Sequence, residues 1–164
     1  MAVSYLLSDQ FLGAPALTVT GDTTQRIPLG QTIIAQDATY GQGEFHYVKF
    51  TGTVVAGDFV FFDRYNKTCT QTPAAATKGN VGLSMAAQAA GNFGYVMVRG
   101  VHDAANVLTG TAIQTNGNYG SAITVGRLTS AATANYFLDG VGTKVSGAAN
   151  VGTVELYWPV CSGR

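Results

Sequence analysis

The sequence predicts an all-β protein: an antiparallel β-sandwich or barrel-like domain of short strands, with an extended N-terminal arm. Short apolar runs alternate with turn residues along the 164-residue chain, and no long segment keeps the 3.6-residue period of an amphipathic helix. The runs recur about every ten residues, which is typical of sandwiches and barrels and not of alternating strand and helix units. A chain of this length fits one domain with a sizeable core.

Seven apolar runs are predicted to be strands, and between them lie residues that tolerate the left-handed backbone of tight turns. The predicted strands are 27–35, 45–51, 59–63, 81–86, 93–101, 122–128 and 151–158. The Ala-rich stretch 84–90 is too short for an isolated helix, so 81–87 is predicted to return as 93–98 in a hairpin. Residues 130–138, with Ser130 as an N-cap and Gly140 beyond their end, are the better candidate for a helix.

The first 25 residues are predicted to form an arm, and residues 26–164 form the β-rich domain. The arm contains the apolar residues Tyr5, Leu6, Leu7, Phe11, Leu12 and Leu17, followed by a polar stretch at 21–26. Such an arm either packs on its own core or reaches a neighbouring molecule. Four of its side chains are therefore candidate contacts with another subunit or with a larger particle: Tyr5, Leu6, Leu7 and Phe11.

Charge is scarce in this sequence and cancels. Charged residues make up 11% of the chain, against about 25% in typical soluble domains. Nine basic and nine acidic residues leave a net charge of zero, so the sequence lacks the clustered Lys and Arg that nucleic acids and anionic membranes attract. Weak repulsion between copies favours association, although Thr and Asn also hydrate the surface of a monomer.

The chain begins without a basic region or a signal-like apolar run, and it has nowhere the roughly 18 consecutive apolar residues that span a bilayer. We therefore expect a soluble product made in the cytoplasm, with no membrane partner. Cys69 and Cys161 are far apart and form no CxxC pattern, so they are predicted to be free thiols in a reducing compartment.

Residue patterns that carry catalysis are weak in this chain. The stretch 82–86 approaches the GxSxG motif, but it ends in Ala and precedes no plausible helix, so Ser84 lacks the turn that exposes a nucleophile. His46 and His102 have no second ligand at the spacing of a metal site, and each is interpreted as a structural or surface histidine. The sequence predicts neither an enzyme nor a cofactor.

One predicted strand, FGYVMVRG at 93–100, has no clearly polar face that would be exposed to solvent. Tyr95, Met97 and Arg99 alternate with Val96 and Val98, and successive side chains of a strand point to opposite faces. We expect one face to meet the strand's own sheet partner and the other to meet another subunit, with Arg99 at the rim of that contact. An arginine at an edge in water is the alternative.

Three stretches together resemble the central region of small tailed-bacteriophage capsid decoration (cement) proteins. They are VAGDFV at 55–60, KGNVGLSMA at 78–86 and GNFGYVMVRG at 91–100. The ending VELYWP at 154–159 is also similar to the closing strand of that family, so the resemblance covers roughly Gln42 to Val160. The arm matches no part of that family.

The resemblance implies a non-enzymatic β-rich protein, commonly a homotrimer. Such a protein binds the outer surface of the icosahedral head, contacts the major capsid protein and stabilises neighbouring capsid subunits. Several weak contacts made by one trimer give strong total binding through effective concentration. The alternative is a phage tail- or fibre-associated β module that binds host glycans, because eight Tyr, eight Phe and one Trp provide material for an aromatic platform.

Overall fold

A computed structural model describes residues 6–7, 14–71, 79–107, 119–120, 126–128, 136–145 and 151–163. These residues form ten strands in one sheet and no helix, which confirms the predicted all-β class. The strands are β1 (Leu6–Leu7), β2 (Thr32–Asp37), β3 (Gly41–Phe50), β4 (Phe59–Asp63), β5 (Thr68–Gln71), β6 (Gly79–Ser84), β7 (Phe93–Asn106), β8 (Tyr119–Gly120), β9 (Tyr136–Val145) and β10 (Val151–Gly163).

Among the described residues, no helix is long and apolar enough to cross a membrane.

Five of the strands close into a ring, which makes the domain barrel-like. β3 pairs with β7 along one edge and, at its end, with β5 along the other. β4 and β6 complete the circuit between β5 and β7. The pairing of β3 with β5 is parallel, and the other strand pairings in the described part of the chain are antiparallel. Where these pairings form, the ring strands have no unpaired edge that could add another strand.

The remaining strands extend the sheet from the ring. β2 pairs with the first half of β3, and β1 pairs with β2. On the other side β10 pairs with β7, with the start of β6 and with β9, and β9 pairs with β8. Gly100, with φ of 114°, lies where β7 turns from β3 toward β10. A Cβ there would lie 2.9 Å from the Cα of Gly43, so glycine permits this close approach of two strands.

Both faces of β7 are buried within the single chain. Tyr95 and Met97 belong to the larger apolar cluster, which also takes side chains from residues 14–35 and from β10. Val96 and Val98 belong to a smaller cluster drawn mainly from β3, β4, β5 and β7. Each of these four side chains is at most 1% exposed. The expectation that another subunit covers one face of this strand is therefore wrong, because strands and loops of the same molecule cover it.

Six of the seven predicted strands correspond to observed ones, and the strand at Phe59–Asp63 has the predicted bounds. The hairpin of β6 with β7 is confirmed by the pairing of Leu83 with Met97. Of the seventh strand, 122–125 lie outside the described residues, and the rest forms a turn and a bridge from Leu128 to Val107.

The candidate helix at 130–138 is a strand where the structure describes it. Tyr136–Leu138 opens β9 and pairs with the last residues of β10, and 130–135 lie outside the described residues. Pairing with β9 satisfies the N–H and C=O groups along one edge of β10, and a helix there would leave that edge unpaired.

Part of the predicted arm packs on its own core. Leu17 is 5% exposed and belongs to the larger apolar cluster, and Ala14 packs against that cluster. The buried side chain of Gln88 holds the following turn: it accepts a hydrogen bond from the Gly21 N–H (3.2 Å) and donates one to the Val19 carbonyl (2.6 Å). Of the two packing modes considered for the arm, residues 14–25 adopt the first.

Candidate functional site

The turn between β4 and β5 presents two basic side chains. The carboxylate of Asp63 accepts hydrogen bonds from the N–H groups of Tyr65 (2.7 Å) and Asn66 (3.2 Å) and from the Asn66 side chain (2.6 Å). The bonds from Asn66 and then from Tyr65 lower the pKa of Asp63. This capped turn begins at Arg64 and ends at Lys67, whose φ is 58°.

A bulge in β10 brings Trp158 to this turn. Tyr157, Trp158 and Pro159 together lie opposite one residue of β9, Gly140. Pro159 has no N–H for the ladder, and proline within a sheet is found at edges and bulges. Trp158 has φ of 53°, a conformation that costs a bulky residue about 1 kcal/mol or more. Bulges re-aim side chains in this way and are over-represented beside functional sites.

The redirected indole ring of Trp158 lies between a histidine and an arginine. Its edge-on contact with His46 on β3 has a centroid distance of 5.2 Å and an interplanar angle of 86°. The guanidinium carbon of Arg64 lies 4.5 Å from the indole centroid and 5.8 Å from that of Phe62. His46 also contacts Phe62, at 5.6 Å between centroids. Strands β3, β4 and β10 thus build one cluster of aromatic and cationic groups.

A cavity of about 120 Å³ opens beside this cluster, which we call the Trp158 pocket. Its walls are His46, Val48, Phe62, Arg64, Lys67 and Trp158, with Gly30 and Asp63 completing the lining. The Lys67 ammonium donates to the carbonyl of Arg64. The Lys67 stem crosses Gly30, where a Cβ would lie 2.7 Å from the lysine Cδ. Val48 and Phe62 are buried, whereas Arg64 is exposed and Lys67 is partly exposed, so apolar side chains form the base of the pocket and cationic ones its mouth.

His46 lines the pocket and has a buried ring nitrogen. Its Nε2 is shielded from solvent and has no hydrogen-bond partner among the described residues. Burial first, and then the positive charges of Arg64 and Lys67, lower the pKa of His46 to about 4. At neutral pH the imidazole is therefore uncharged, and Nε2 is an unpaired polar atom, which costs about 1–3 kcal/mol when it is left without a partner.

The chemistry of the pocket is that of binding through hydrogen bonds and charge. Arg64 and Lys67 donate, the neutral imidazole donates or accepts, and aromatic rings bound the space. The described residues contain no group of three or more His, Cys, Asp or Glu side chains placed to hold a metal ion.

Of the residues weighed for catalysis in the sequence, His46 lines the Trp158 pocket, whereas Ser84 and His102 do not. Ser84 is fully buried on β6 and donates its hydroxyl to the Ala86 carbonyl at 2.8 Å. His102 is 8% exposed, and its Nδ1 accepts a hydrogen bond from the Ala104 N–H at 3.1 Å. Cys69 is a buried free thiol, and burial raises its pKa well above the ordinary value.

The five candidate contact residues from the sequence do not form one site in the described structure. Leu6 and Leu7 form β1 and pair with Gln36 and Ala35 of β2. Tyr5 and Phe11 lie outside the described residues. Arg99 is exposed on β7, where its backbone neighbours are Glu44 of β3 and Tyr157 of β10, and it does not line the Trp158 pocket.

Sequence reasoning missed the residues that line the pocket, although two signals were present. The alternation of β3 places His46 and Val48 on one face, and both line the cavity. Trp158 followed by Pro159 inside a strand-like run was the second signal, because proline in such a run favours a bulge. The pairing of Arg64 with Trp158 joins positions 94 residues apart, and no local pattern predicts it.

Comparison with protein-family models, with curated proteins and with solved structures found no match to this chain.

Proposed function

We propose that this chain is a phage capsid decoration protein, which binds the outer surface of an icosahedral head and stabilises neighbouring subunits of the major capsid protein. The observation that carries the proposal is the resemblance over 42–160. Its stretches lie on adjacent strands: 55–60 leads into β4, 78–86 contains β6 and 91–100 opens β7. β4 pairs with β6, β6 with β7, and β10, which contains 154–159, with β7.

The distribution of exposed apolar side chains supports a docking surface along β10. Among the described residues the exposed large apolar side chains are Val55, Tyr65, Val151, Tyr157 and Val160. Three of these five lie on β10, and Tyr65 belongs to the turn whose Arg64 contacts Trp158. β10 is paired along both edges, so a partner would meet its side chains and not add a strand.

Both faces of β7 are buried within one chain, so an uncovered face of this strand does not support the proposal. The homotrimer rests on the resemblance alone. A trimer that engages several capsid subunits needs only weak individual contacts, because binding of the second and third copies becomes intramolecular.

Sedimentation with expanded capsids that lack their decoration protein tests the proposal. We expect the purified chain to be a trimer by light scattering and to sediment with the capsids. The double variant Tyr157→Ser with Val160→Ser should bind at least about tenfold more weakly, as expected when central interface contacts are removed. A monomeric chain that stays in the supernatant would refute the proposal.

The matched control is Val55→Ser. Val55 and Tyr157 are similarly exposed, at 52% and 56%. Val55 lies before β4, at the opposite end of that strand from the turn whose Arg64 contacts Trp158 of β10. Capsid binding by this variant should equal that of the wild type. Equal loss in both variants would show that surface apolarity in general, and not the β10 surface, drives sedimentation.

Glycan binding by a tail- or fibre-associated module is the second candidate, and one observation favours it. Tyr65 is 90% exposed in the turn that follows β4, and exposed aromatic faces stack on sugars. Glycan-array binding that is abolished by Tyr65→Ser, in a chain that ignores capsids, would establish this function in place of decoration.

A further inference from the structure

We propose that the Trp158 pocket is a carboxylate-binding site, in which Arg64, Lys67 and His46 hold the anion and the aromatic walls hold its apolar stem. The inference concerns the pocket alone, and it holds whether or not the chain binds a capsid.

Two cations at the mouth of the pocket lack a carboxylate ion-pair partner within the described residues. The ion pair that the described residues do form joins Arg26 to Asp22, and neither of these residues lines the pocket. Asp63 borders the pocket, but it already accepts three hydrogen bonds from its own turn. Arg64 is held against Trp158, and a guanidinium fixed in this way can offer its planar fork of N–H donors to a carboxylate.

The buried Nε2 of His46 is the third group that calls for a ligand. A buried polar atom without a partner is rare in folded proteins, and a bound water or ion is one of its recognised causes. Its neighbours, Arg64 and Lys67, both disfavour a charge on the imidazole, so the field at this nitrogen is positive. A ligand oxygen that carries negative charge suits both the field and a neutral imidazole that donates from Nε2.

Backbone strain also concentrates at this pocket. Lys67 and Trp158 are the two non-glycine residues with positive φ in the described part of the chain, and both line the cavity. Such conformations persist only where the surrounding structure holds them, and they cluster at ligand sites.

Size and charge favour a carboxylate over a phosphate. The cavity of about 120 Å³ holds a carboxylate with a short stem, since a water molecule takes up about 30 Å³ of the liquid. The local charges are two positive and one negative, from Arg64, Lys67 and Asp63, which matches a monoanion better than a dianion. Val48, Phe62 and Trp158 offer apolar contact to methylene groups, which a free phosphate lacks.

Fluorescence of Trp158 measures binding directly, because it is the chain's one tryptophan and lines the pocket. The full-length protein is titrated with butyrate, with the neutral isostere butyramide and with inorganic phosphate. We expect a saturable change with butyrate and none with butyramide, together with a shift of the His46 imidazole signals in the NMR spectrum. Equal responses to butyrate and butyramide would overturn the proposal, and so would tighter binding of phosphate than of butyrate.

Two variants separate a binding role from a structural one. Arg64→Gln removes the charge but keeps much of the side chain, and it should weaken butyrate binding by about tenfold, the usual effect of losing a charge-assisted hydrogen bond. Arg99→Gln, at an exposed arginine outside the pocket, should bind butyrate as the wild type does. A cooperative thermal unfolding transition of Arg64→Gln, with a midpoint no more than a few degrees below that of the wild type, would show that the fold is intact. Wild-type binding by Arg64→Gln would refute the site, whatever the outcome of the capsid experiment.

Discussion

The guanidinium carbon of Arg64 lies 4.5 Å from the centroid of the Trp158 indole ring. A cation over an indole face is worth about 0.5–1 kcal/mol at exposed sites. This contact joins the β4–β5 turn to the bulge of β10, and it therefore fixes the mouth of the Trp158 pocket.

A double-mutant cycle on this pair should give a coupling free energy of about 0.5–1 kcal/mol. The variants are Arg64→Ala, Trp158→Leu and the two combined, with the free energy of unfolding measured in urea. Lys49→Ala is the control partner, because Lys49 lies over the ring of Phe93 and not over Trp158. Lys49→Ala and Trp158→Leu should be additive, and an additive result for Arg64 as well would mean that the stacking adds no stability.

Two neighbouring tyrosines should respond in opposite ways to loss of the hydroxyl. Tyr47 and Tyr95 are cross-strand partners with rings 5.1 Å apart. The Tyr47 hydroxyl accepts a hydrogen bond from the Arg26 N–H at 3.2 Å, whereas the buried Tyr95 hydroxyl has no partner among the described residues.

Tyr47→Phe should therefore lower the free energy of unfolding by about 1 kcal/mol, and Tyr95→Phe should leave it unchanged or raise it, because an unpaired buried hydroxyl is destabilising. Urea denaturation of the two variants, each of which lacks one tyrosine hydroxyl, measures both effects. A loss of 1 kcal/mol or more for Tyr95→Phe would instead place a hydrogen-bond partner at that hydroxyl.

Acid should destabilise this protein through its two histidines. Burial lowers the pKa of His46 and of His102 to about 4 in the folded state, below the ordinary value near 6.5. For His102 the nearby Asp103 opposes the effect of burial. The unfolded chain therefore binds more protons between about pH 6.5 and 4, so stability is present above this window and is lost as the pH falls through it.

Denaturant unfolding at several pH values across that window tests this expectation. The free energy of unfolding should fall from pH 7 to pH 4, and the double variant His46→Gln with His102→Gln should show a shallower fall. Each single variant should show an intermediate slope. A wild-type slope in the double variant would assign the acid sensitivity to the carboxylates.

The sequence predicted the ring strands because their pattern is local. Phe59–Asp63 alternates between the two apolar clusters, and turn residues bound it on both sides, so its limits follow from the residues themselves. β9 was missed because its strand character comes from pairing with β10. The prediction that another subunit covers one face of β7 was also wrong. Leu17 and the β10 side chains, which are distant from β7 in sequence, pack in the larger cluster with it.

The Trp158 pocket was beyond local prediction for the same reason. The sequence favours a structural or surface role for His46, because no second ligand lies near it in sequence. In the structure, β4, the turn after it and β10 bring Phe62, Arg64 and Trp158 together around this histidine. A bulge decides where the indole points, and the register of β10 on β9 sets that bulge. Such long-range register does not appear in alternation or spacing.

Gln88 should tie the N-terminal segment to the barrel. Its buried amide accepts from the Gly21 N–H and donates to the Val19 carbonyl, and Gln88→Leu leaves these two backbone groups without their partner. We expect a loss of about 2 kcal/mol in the free energy of unfolding, the cost of unsatisfied buried polar groups, and faster hydrogen exchange at Gly21. Gln42→Leu, at an exposed position on β3, should change neither. If Gln88→Leu leaves the exchange at Gly21 unaltered, the packing of Leu17, and not this amide, holds the segment in place.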